Sequence, residues 1–329
     1  MQELINIIDK FKEARILVAG DLMLDEYLMG SVERISPEAP IPILDVKEIS
    51  RRPGGAANTA YNIQSLGGQA ILTGVVGNDE NGNTLKNLLA EKGIDVQGIL
   101  ADSSRRTTLK TRAVARGQHI VRIDLEDKKF ISQEIEAGLL QFIESQIPNI
   151  KAVIISDYLK GVVTPNLSRK IIELAKNSNV ISLVDGKADD FSKYKGCGIV
   201  IPNKKEFARA LNMAPEQLSS EGRFLQAGKM LLAHVASNNV LVKCGEQGMT
   251  LFKKDGNFFR HPAVNMSPVD VSGAGDTAIA AFALALTSGA DLEQAVTLAS
   301  YACGVEVGKI GTAVVSPQEL WENLKAKNK

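Results

Sequence analysis

Short apolar runs that end in a polar residue recur along this chain, and segments of helical spacing fill the intervals between them. Residues 15–21 read Arg-Ile-Leu-Val-Ala-Gly-Asp, the pattern of a parallel strand buried on both faces that delivers a carboxylate at its C-terminal end. The pattern returns at 152–156, followed by Asp157, and at 180–184, followed by Asp185. Helical segments at 81–91, 132–145 and 166–176, with a strand at 70–76, complete a βα alternation. It predicts an α/β fold that binds ligands at the carboxyl edge of its strands.

Two stretches break this rhythm. Residues 30–50 place Ile41, Ile43 and Val46 in a strand-like run, and residues 107–126 alternate through Leu109, Thr111 and Ala113, then Ile120, Arg122 and Asp124, about a turn at Arg116-Gly117-Gln118. They predict a small β-sheet lid over the main domain, from segments about 28–50 and 105–126, with a homodimer contact on its apolar face. Near the N-terminus Leu4, Ile5, Ile8 and Phe11 fall at helical spacing among charges, unlike the continuous apolar core of a signal peptide. A cytoplasmic protein is expected.

With 329 residues and 44% hydrophobic content the chain can bury a large core. Lys+Arg and Asp+Glu are both 38, so no net charge draws it to nucleic acid or to an anionic membrane, and small polar ligands fit better. Cys197, Cys244 and Cys303, like His119, His234 and His261, are scattered without ligand spacing, which argues against a disulfide framework or a zinc site.

Chemistry concentrates in residues 270–277, Asp-Val-Ser-Gly-Ala-Gly-Asp-Thr, which lead into an apolar helical run at 278–286 without Gly or Pro. Gly273 and Gly275 let the backbone turn tightly and bring N–H groups to an anion, and a helix starting there adds unpaired donors and a positive dipole end. Asp276 would repel a resting phosphate, so its expected work is to take a proton from the hydroxyl that attacks that phosphate. Two other readings stay open for the stretch alone. Residues 273–278 also fit the dinucleotide pattern G-x-G-x-x-A with Asp291 as a distant ribose acid, although that fingerprint belongs early in a βαβ unit. A plain glycine turn capped by Ser272 fits as well.

Asp21 and Asp25 near one strand end suit a polyol, since a carboxylate accepts hydrogen bonds from neighbouring hydroxyls, while loop capping accounts for them equally. Residues 53–58, Pro-Gly-Gly-Ala-Ala-Asn, open a helix to about residue 66; Gly54 and Gly55 allow close backbone approach and Asn58 reaches a hydroxylated ligand, or the helix is simply glycine-initiated. Arg112, Arg116 and Arg122 in the lid strands, with Lys160 and Lys187 after the strand-end aspartates, are either solvated charges or phosphate holders. Asn203 and Glu206 read as a capping box, and the same amide and carboxylate can order water around Mg²⁺. Residues 240–249 read as strand, glycine turn and second strand, of a kind that touches nucleotides, whereas no G-x-x-x-x-G-K-[ST] occurs, which excludes a P-loop NTPase.

Gly54-Gly55-Ala56-Ala57-Asn58 and residues 270–276 resemble the two signatures of the ribokinase-like (PfkB) carbohydrate kinases in order and separation, and Asn203-x-x-Glu206 resembles that family's magnesium motif. The likeness runs through essentially the whole chain. Longer runs at 20–25, 34–40, 52–58, 156–161 and 246–249 are similar to the branch that phosphorylates D-glycero-D-manno-heptose 7-phosphate at its anomeric carbon, toward ADP-heptose for bacterial lipopolysaccharide. The resemblance implies one domain over residues 1–329, a three-layer α/β/α sandwich with a β lid, that uses ATP and Mg²⁺. It implies Asp276 as catalytic base, with Gly273, Ala274 and Gly275 presenting N–H groups to the migrating phosphoryl. ATP contacts follow at Asn203, Glu206, Lys243, Gly245 and Gly248, the first two reaching magnesium through water. The sugar pocket would be Asp21, Asp25, Gly54, Gly55 and Asn58, with a basic residue among Arg112, Lys160 and Lys187 on the substrate's phosphate.

The chain departs from the family pattern at three places. Ser272 stands where threonine is usual and keeps the hydroxyl, Gly186 replaces a common proline, and Lys243-Cys244 replaces a Thr-Arg pair before the nucleotide turn. No nucleotidyltransferase half follows Trp321, so a separate adenylyltransferase is expected downstream. A kinase of the same fold for another sugar phosphate or a nucleoside, and a non-catalytic sugar- or nucleotide-binding regulator, remain as other readings.

Overall fold

The computed structural model describes residues 2–264, 267–309 and 311–326. In chain order the elements are α1 (Gln2–Asp9), β1 (Arg15–Ile35), β2 (Pro42–Gly55), α2 (Ala56–Ser65), β3 (Gln69–Gly77), α3 (Glu80–Glu91), β4 (Asp95–Asp102), β5 (Thr108–Ala115), β6 (Gln118–Leu125), α4 (Gln133–Gln146) and β7 (Ala152–Asp157). There follow α5 (Pro165–Asn177), β8 (Ile181–Gly186), β9 (Ile199–Val200), α6 (Lys204–Ala210), α7 (Glu221–Val235), β10 (Asn239–Lys243), β11 (Met249–Lys253), β12 (Phe258–His261), α8 (Ala274–Thr287), α9 (Leu292–Glu306) and α10 (Pro317–Ala326). Polar side chains start the helices where the sequence placed them: Thr164 accepts from the Leu167 amide (2.9 Å) with Pro165 in the first turn, and Asp79 accepts from the Gly82 amide (2.8 Å).

The main sheet runs β12-β11-β10-β9-β8-β7-β1-β3-β4. Every pair from β10 to β4 is parallel, and β11 and β12 add antiparallel strands at one edge. Side chains alternate across it with period two. Ile16, Val18, Ile154 and Leu241 face one core with α2, α8 and α9, while Leu17, Val153, Ile155 and Val240 face a second with α4, α5 and α7. Each such buried side chain contributes about 1.5–3 kcal/mol. The whole run from Ala278 to Ala285 is buried, which explains its lack of polar residues. Among the described residues no helix is long and apolar enough to cross a membrane.

β1 does not stop at Asp21, as the sequence pattern predicts. Its pairing with β3 ends there, and the same strand then pairs with β2 from Leu22 and with β5 from Met23. No Gly or Pro lies between Asp21 and Met29 to end the strand, so it passes from one sheet into the next. With β6 on β5, the second sheet has the order β2-β1-β5-β6, and it takes in residues 22–27 and 51–55 beyond the expected lid segments. It roofs the carboxyl edge of the main sheet.

Candidate active site

Gly273 starts α8 at φ +99°, in the left-handed region that disfavours any side chain, and a Cβ there would come within 3.2 Å of Glu306 Oε1 and 3.3 Å of Asn58 Nδ2. Asp270 shapes the turn by accepting from the Ser272 and Gly311 amides, each at 2.9 Å. The Asp276 and Thr277 amides fold back onto the Gly273 carbonyl (2.9 and 3.0 Å), and the Ala274 amide makes a long bond to the Val271 carbonyl (3.4 Å). Of the three expected donors, the Gly273 and Gly275 amides therefore have no backbone acceptor among the described residues, and both residues line the cleft. Ala274 is the one whose amide is engaged.

Asp276 is buried and saturated on one side. Its Oδ1 accepts from Tyr158 OH (2.7 Å) and Thr59 Oγ1 (3.1 Å), and its Oδ2 accepts from Asn58 Nδ2 (2.7 Å). Oδ2 thus keeps one lone pair uncommitted. Burial raises the Asp276 pKa above the ordinary carboxylate value and nearby Asp185 adds to the rise, while Asn58, Tyr158 and Lys187 pull against it. Asn58 is 1% exposed, so it holds Asp276 and does not line the cleft. It is held in turn by Asn62, which donates to the Asn58 carbonyl (3.0 Å) and accepts from Thr277 Oγ1 (2.8 Å).

Tyr158 and Thr59 escaped sequence reasoning. Removing the phenol in Tyr158→Phe takes away a hydrogen bond that lowers the Asp276 pKa, so that pKa rises and less of the charged base is present in acid. The acid limb of kcat should move to higher pH, with little loss on the alkaline side of it. A pH–rate comparison with wild type checks this, and an equal loss at every pH contradicts it.

The cleft between the main sheet and the lid has a volume of about 760 Å³, in the range of small-molecule sites. Asp25, Gly55, Arg112, Lys160, Lys187, Asn203, Glu206, Lys243, Gly245 and Gly248 line it beside the Gly273 turn. Asp21 and Gly54 do not. The Asp21 carboxylate, 1% exposed, accepts from the Tyr158, Lys160 and Val162 amides at 2.7–3.1 Å. It fixes the loop that carries Tyr158, and burial followed by Asp157 pushes its pKa up to about 6. A Cβ on Gly54 would come within 2.7 Å of Asp25 Oδ2, so Gly54 makes room for Asp25.

At the lid end, Arg112 donates to Asp25 Oδ1 (2.7 Å), Lys160 pairs with Glu126 (2.7 Å), Lys110 with Asp124 (3.0 Å) and Glu126 (3.4 Å), and Arg122 with Asp124 (2.9 Å). With exposed Lys128 also on Glu126 (3.4 Å), five cations there face three carboxylates among the described residues. Lys187 lies 3.8 Å from the centre of the Tyr158 ring and, among the described residues, has no carboxylate within salt-bridge distance.

Lys243 sits elsewhere than its place before the nucleotide turn implies. Its ammonium pairs with Asp185 (2.8 Å) and lies 3.2 Å from where a Gly275 Cβ would be, beside the turn that opens α8. Burial opposes its charge, but Asp185 and Glu206 hold its pKa above the lysine value. Gly186 is also accounted for: a Cβ there would meet Tyr194 OH at 2.4 Å, so the phenol occupies the space.

The capping box is formed, with Glu206 Oε2 accepting from the Asn203 amide (2.7 Å) and Asn203 Oδ1 from the Glu206 amide (2.9 Å). Glu206 still lines the cleft, and burial and Asp185 raise its pKa. Among the described residues no group of three or more His, Cys, Asp or Glu could hold a metal ion by itself. Glu206 and the Asn203 amide oxygen line the cleft as hard oxygens of the kind Mg²⁺ takes, beside Asp185, which is already paired with Lys243.

The profile of the pfkB family carbohydrate kinases matches residues 13–319. The chain is 42% identical over 318 residues to the bifunctional protein HldE of Geobacter metallireducens, covering 96% of this chain and 64% of that protein. It is 41% identical over 306 residues to the bifunctional protein HldE of Helicobacter pylori, covering 93% of this chain and 65% of that one. The chain thus spans just under two thirds of the length of these relatives. Among solved structures it is similar to phosphofructokinase-2 of Escherichia coli (TM-score 0.79, 21% identity, 96% of this chain and 99% of that one). It is also similar to the ribokinase of Arabidopsis thaliana solved with ribose and ATP (TM-score 0.74, 19% identity, 95% and 99%). At these identities the structures show the ribokinase-like fold.

Proposed function

The chain belongs to the pfkB family of carbohydrate kinases, and on that footing we propose that it transfers the γ-phosphoryl group of ATP to the anomeric oxygen of D-glycero-D-manno-heptose 7-phosphate. The observation that carries the transfer is Asp276, with a free lone pair on Oδ2, in the first turn of a helix whose Gly273 and Gly275 amides have no backbone acceptor among the described residues. The heptose rests on the sequence runs that resemble that branch of the family. In this reading Asp276 takes the proton of the attacking hydroxyl, and the two amides with Lys243 and Lys187 stabilise charge on the phosphoryl in flight. Magnesium, reached through water from Glu206 and Asn203, would neutralise charge on the ATP phosphates. Gly245 and Gly248 border the nucleotide, Asp25 and Gly55 the sugar, and the surplus of cations among Lys110, Arg112, Arg122 and Lys160 receives the substrate's own phosphate.

ADP release with Mg²⁺ across a panel of sugar phosphates and nucleosides tests the substrate. Preference for the heptose 7-phosphate is expected. Turnover of another member alone would leave the transfer chemistry and remove the heptose, and ATP binding without any turnover would favour a regulator. The reading places the reaction in the cytoplasm, with a distinct adenylyl-transfer activity consuming the product.

The lid's outer face supports a homodimer. Pairing rows put Ile49, Val121, Ile123 and Leu125 on the side opposite Asp25 and Arg112, and Ile49 and Ile123 are each 58% exposed. Ile123→Glu should turn a wild-type dimer into monomers in light-scattering chromatography. A wild type that is already monomeric at micromolar concentration contradicts the contact.

A further inference from the structure

Glu306 closes α9 with none of its surface exposed, yet among the described residues neither carboxyl oxygen has a partner at hydrogen-bond geometry, the Ala313 amide being near enough only to favour a charge. It lies against the phosphate-facing turn, since a Cβ on Gly273 would come within 3.2 Å of its Oε1. The groups around it are mostly acidic: Asp270 from the segment before α8 and Asp276 from α8 itself. Lys309 and the Ala313 amide favour a charge on it, but Lys309 is already engaged by Glu319 (2.6 Å) and by the Val314 carbonyl (2.7 Å). Cys303, one turn back on α9, is a neutral thiol whose pKa burial and Glu306 push up to about 12. Across the turn stand Asn58 and, beyond Gly275, Lys243, which is paired with Asp185. Asp270, partly buried, is kept ionised by the Ser272 and Gly311 amides.

A second negative charge packed behind the start of α8 would oppose the roughly half elementary charge that a helix N-terminus offers an anion. A buried carboxyl with so little to offset its charge is also far less costly neutral than charged. We propose that Glu306 is a positioning residue whose neutral carboxyl keeps the Gly273–Gly275 turn attractive to the terminal phosphate of ATP, and whose ionisation weakens that site in alkali. The inference rests on the kinase reading. Burial, then Asp270 and Asp276, push the Glu306 pKa up to about 8 from 4.5, so folding takes up a proton between those values. The stability linked to the neutral group is complete below pH 4.5 and lost as pH rises through about 8.

ATP affinity measured by calorimetry without acceptor sugar tests this apart from the choice of heptose. Between pH 7 and pH 9 the wild type should weaken roughly tenfold, as a group of that pKa loses its proton, and E306Q less than about twofold. The melting temperature of E306Q should gain on that of wild type from pH 5 to pH 8. Should E306Q fail to fold, the infrared spectrum of wild type in D₂O decides: a protonated carboxylic-acid band at pH 7 that fades by pH 9 supports the assignment. Equal weakening in both proteins, a flat wild-type profile, or no such band overturns it. Absence of ATP binding at pH 7 removes the kinase reading and the proposal together, whereas ATP binding without heptose turnover removes only the substrate.

Discussion

Asp276→Asn should lower turnover by roughly 10²-fold or more while ATP and sugar affinities change little. The amide keeps the size of the side chain and its oxygen can still accept from Tyr158 and Thr59, while Asn58, which donates to the other carboxylate oxygen at 2.7 Å, must turn its own amide to face the new NH2 group. What it loses is the basic lone pair on Oδ2. Because the Asp276 pKa is raised by burial and by Asp185, the wild-type rate should fall on the acid side as the base is protonated, and the residual rate of the variant should lack that limb. Steady-state kinetics with binding by calorimetry check both points. Near-normal turnover in Asp276→Asn would remove it as the base.

Gly273→Ala is expected to cost a similar factor for a different reason. At φ +99° an L-residue is strained by about 1–3 kcal/mol, and the new methyl would press on Glu306 and Asn58 at 3.2 and 3.3 Å. Relief requires the turn to move, which withdraws its free amides from the phosphoryl, and loss of one such donor typically costs about 10²–10³ in rate. Gly256→Ala separates strain from function, because Gly256 has φ +89° with nothing within 4 Å of a built Cβ. Both variants should lose stability in denaturant melts, but only Gly273→Ala should lose turnover. Equal kcat in the two would show that the turn does not serve the reaction.

How much of this is legible in the sequence depends on whether a residue's role is local. The apolar runs of β1, β7 and β8 and the buried α8 follow from side-chain pattern, because a strand covered on both faces and a fully buried helix have few alternatives. The passage of β1 from one sheet into the other is not, since it depends on which strands lie beside residues 22–35. α7, α9, α10, β4 and β12 also went unread, their apolar positions being interleaved with polar ones as amphipathic edges require. At the site, Gly273, Gly275 and Asp276 are contiguous and announce themselves. Asn58 and Asp21 look like sugar ligands by position, but each is spent holding another part of the site, Asp276 in one case and the Tyr158 loop in the other. Tyr158, Thr59 and Glu306 join the reaction centre from distant parts of the chain, and no local pattern marks them.

In the proposed reaction the carboxylate of Asp276 and the amides of Gly273 and Gly275 deliver a phosphoryl group to an anomeric hydroxyl. Phosphorus NMR of the protein with ATP, Mg²⁺ and D-glycero-D-manno-heptose 7-phosphate tests it directly. The account predicts a new phosphate resonance coupled to the anomeric proton, growing as ATP is consumed while the 7-phosphate signal persists. ATP that remains intact in that mixture, or phosphate transferred to any other oxygen of the sugar, would contradict it.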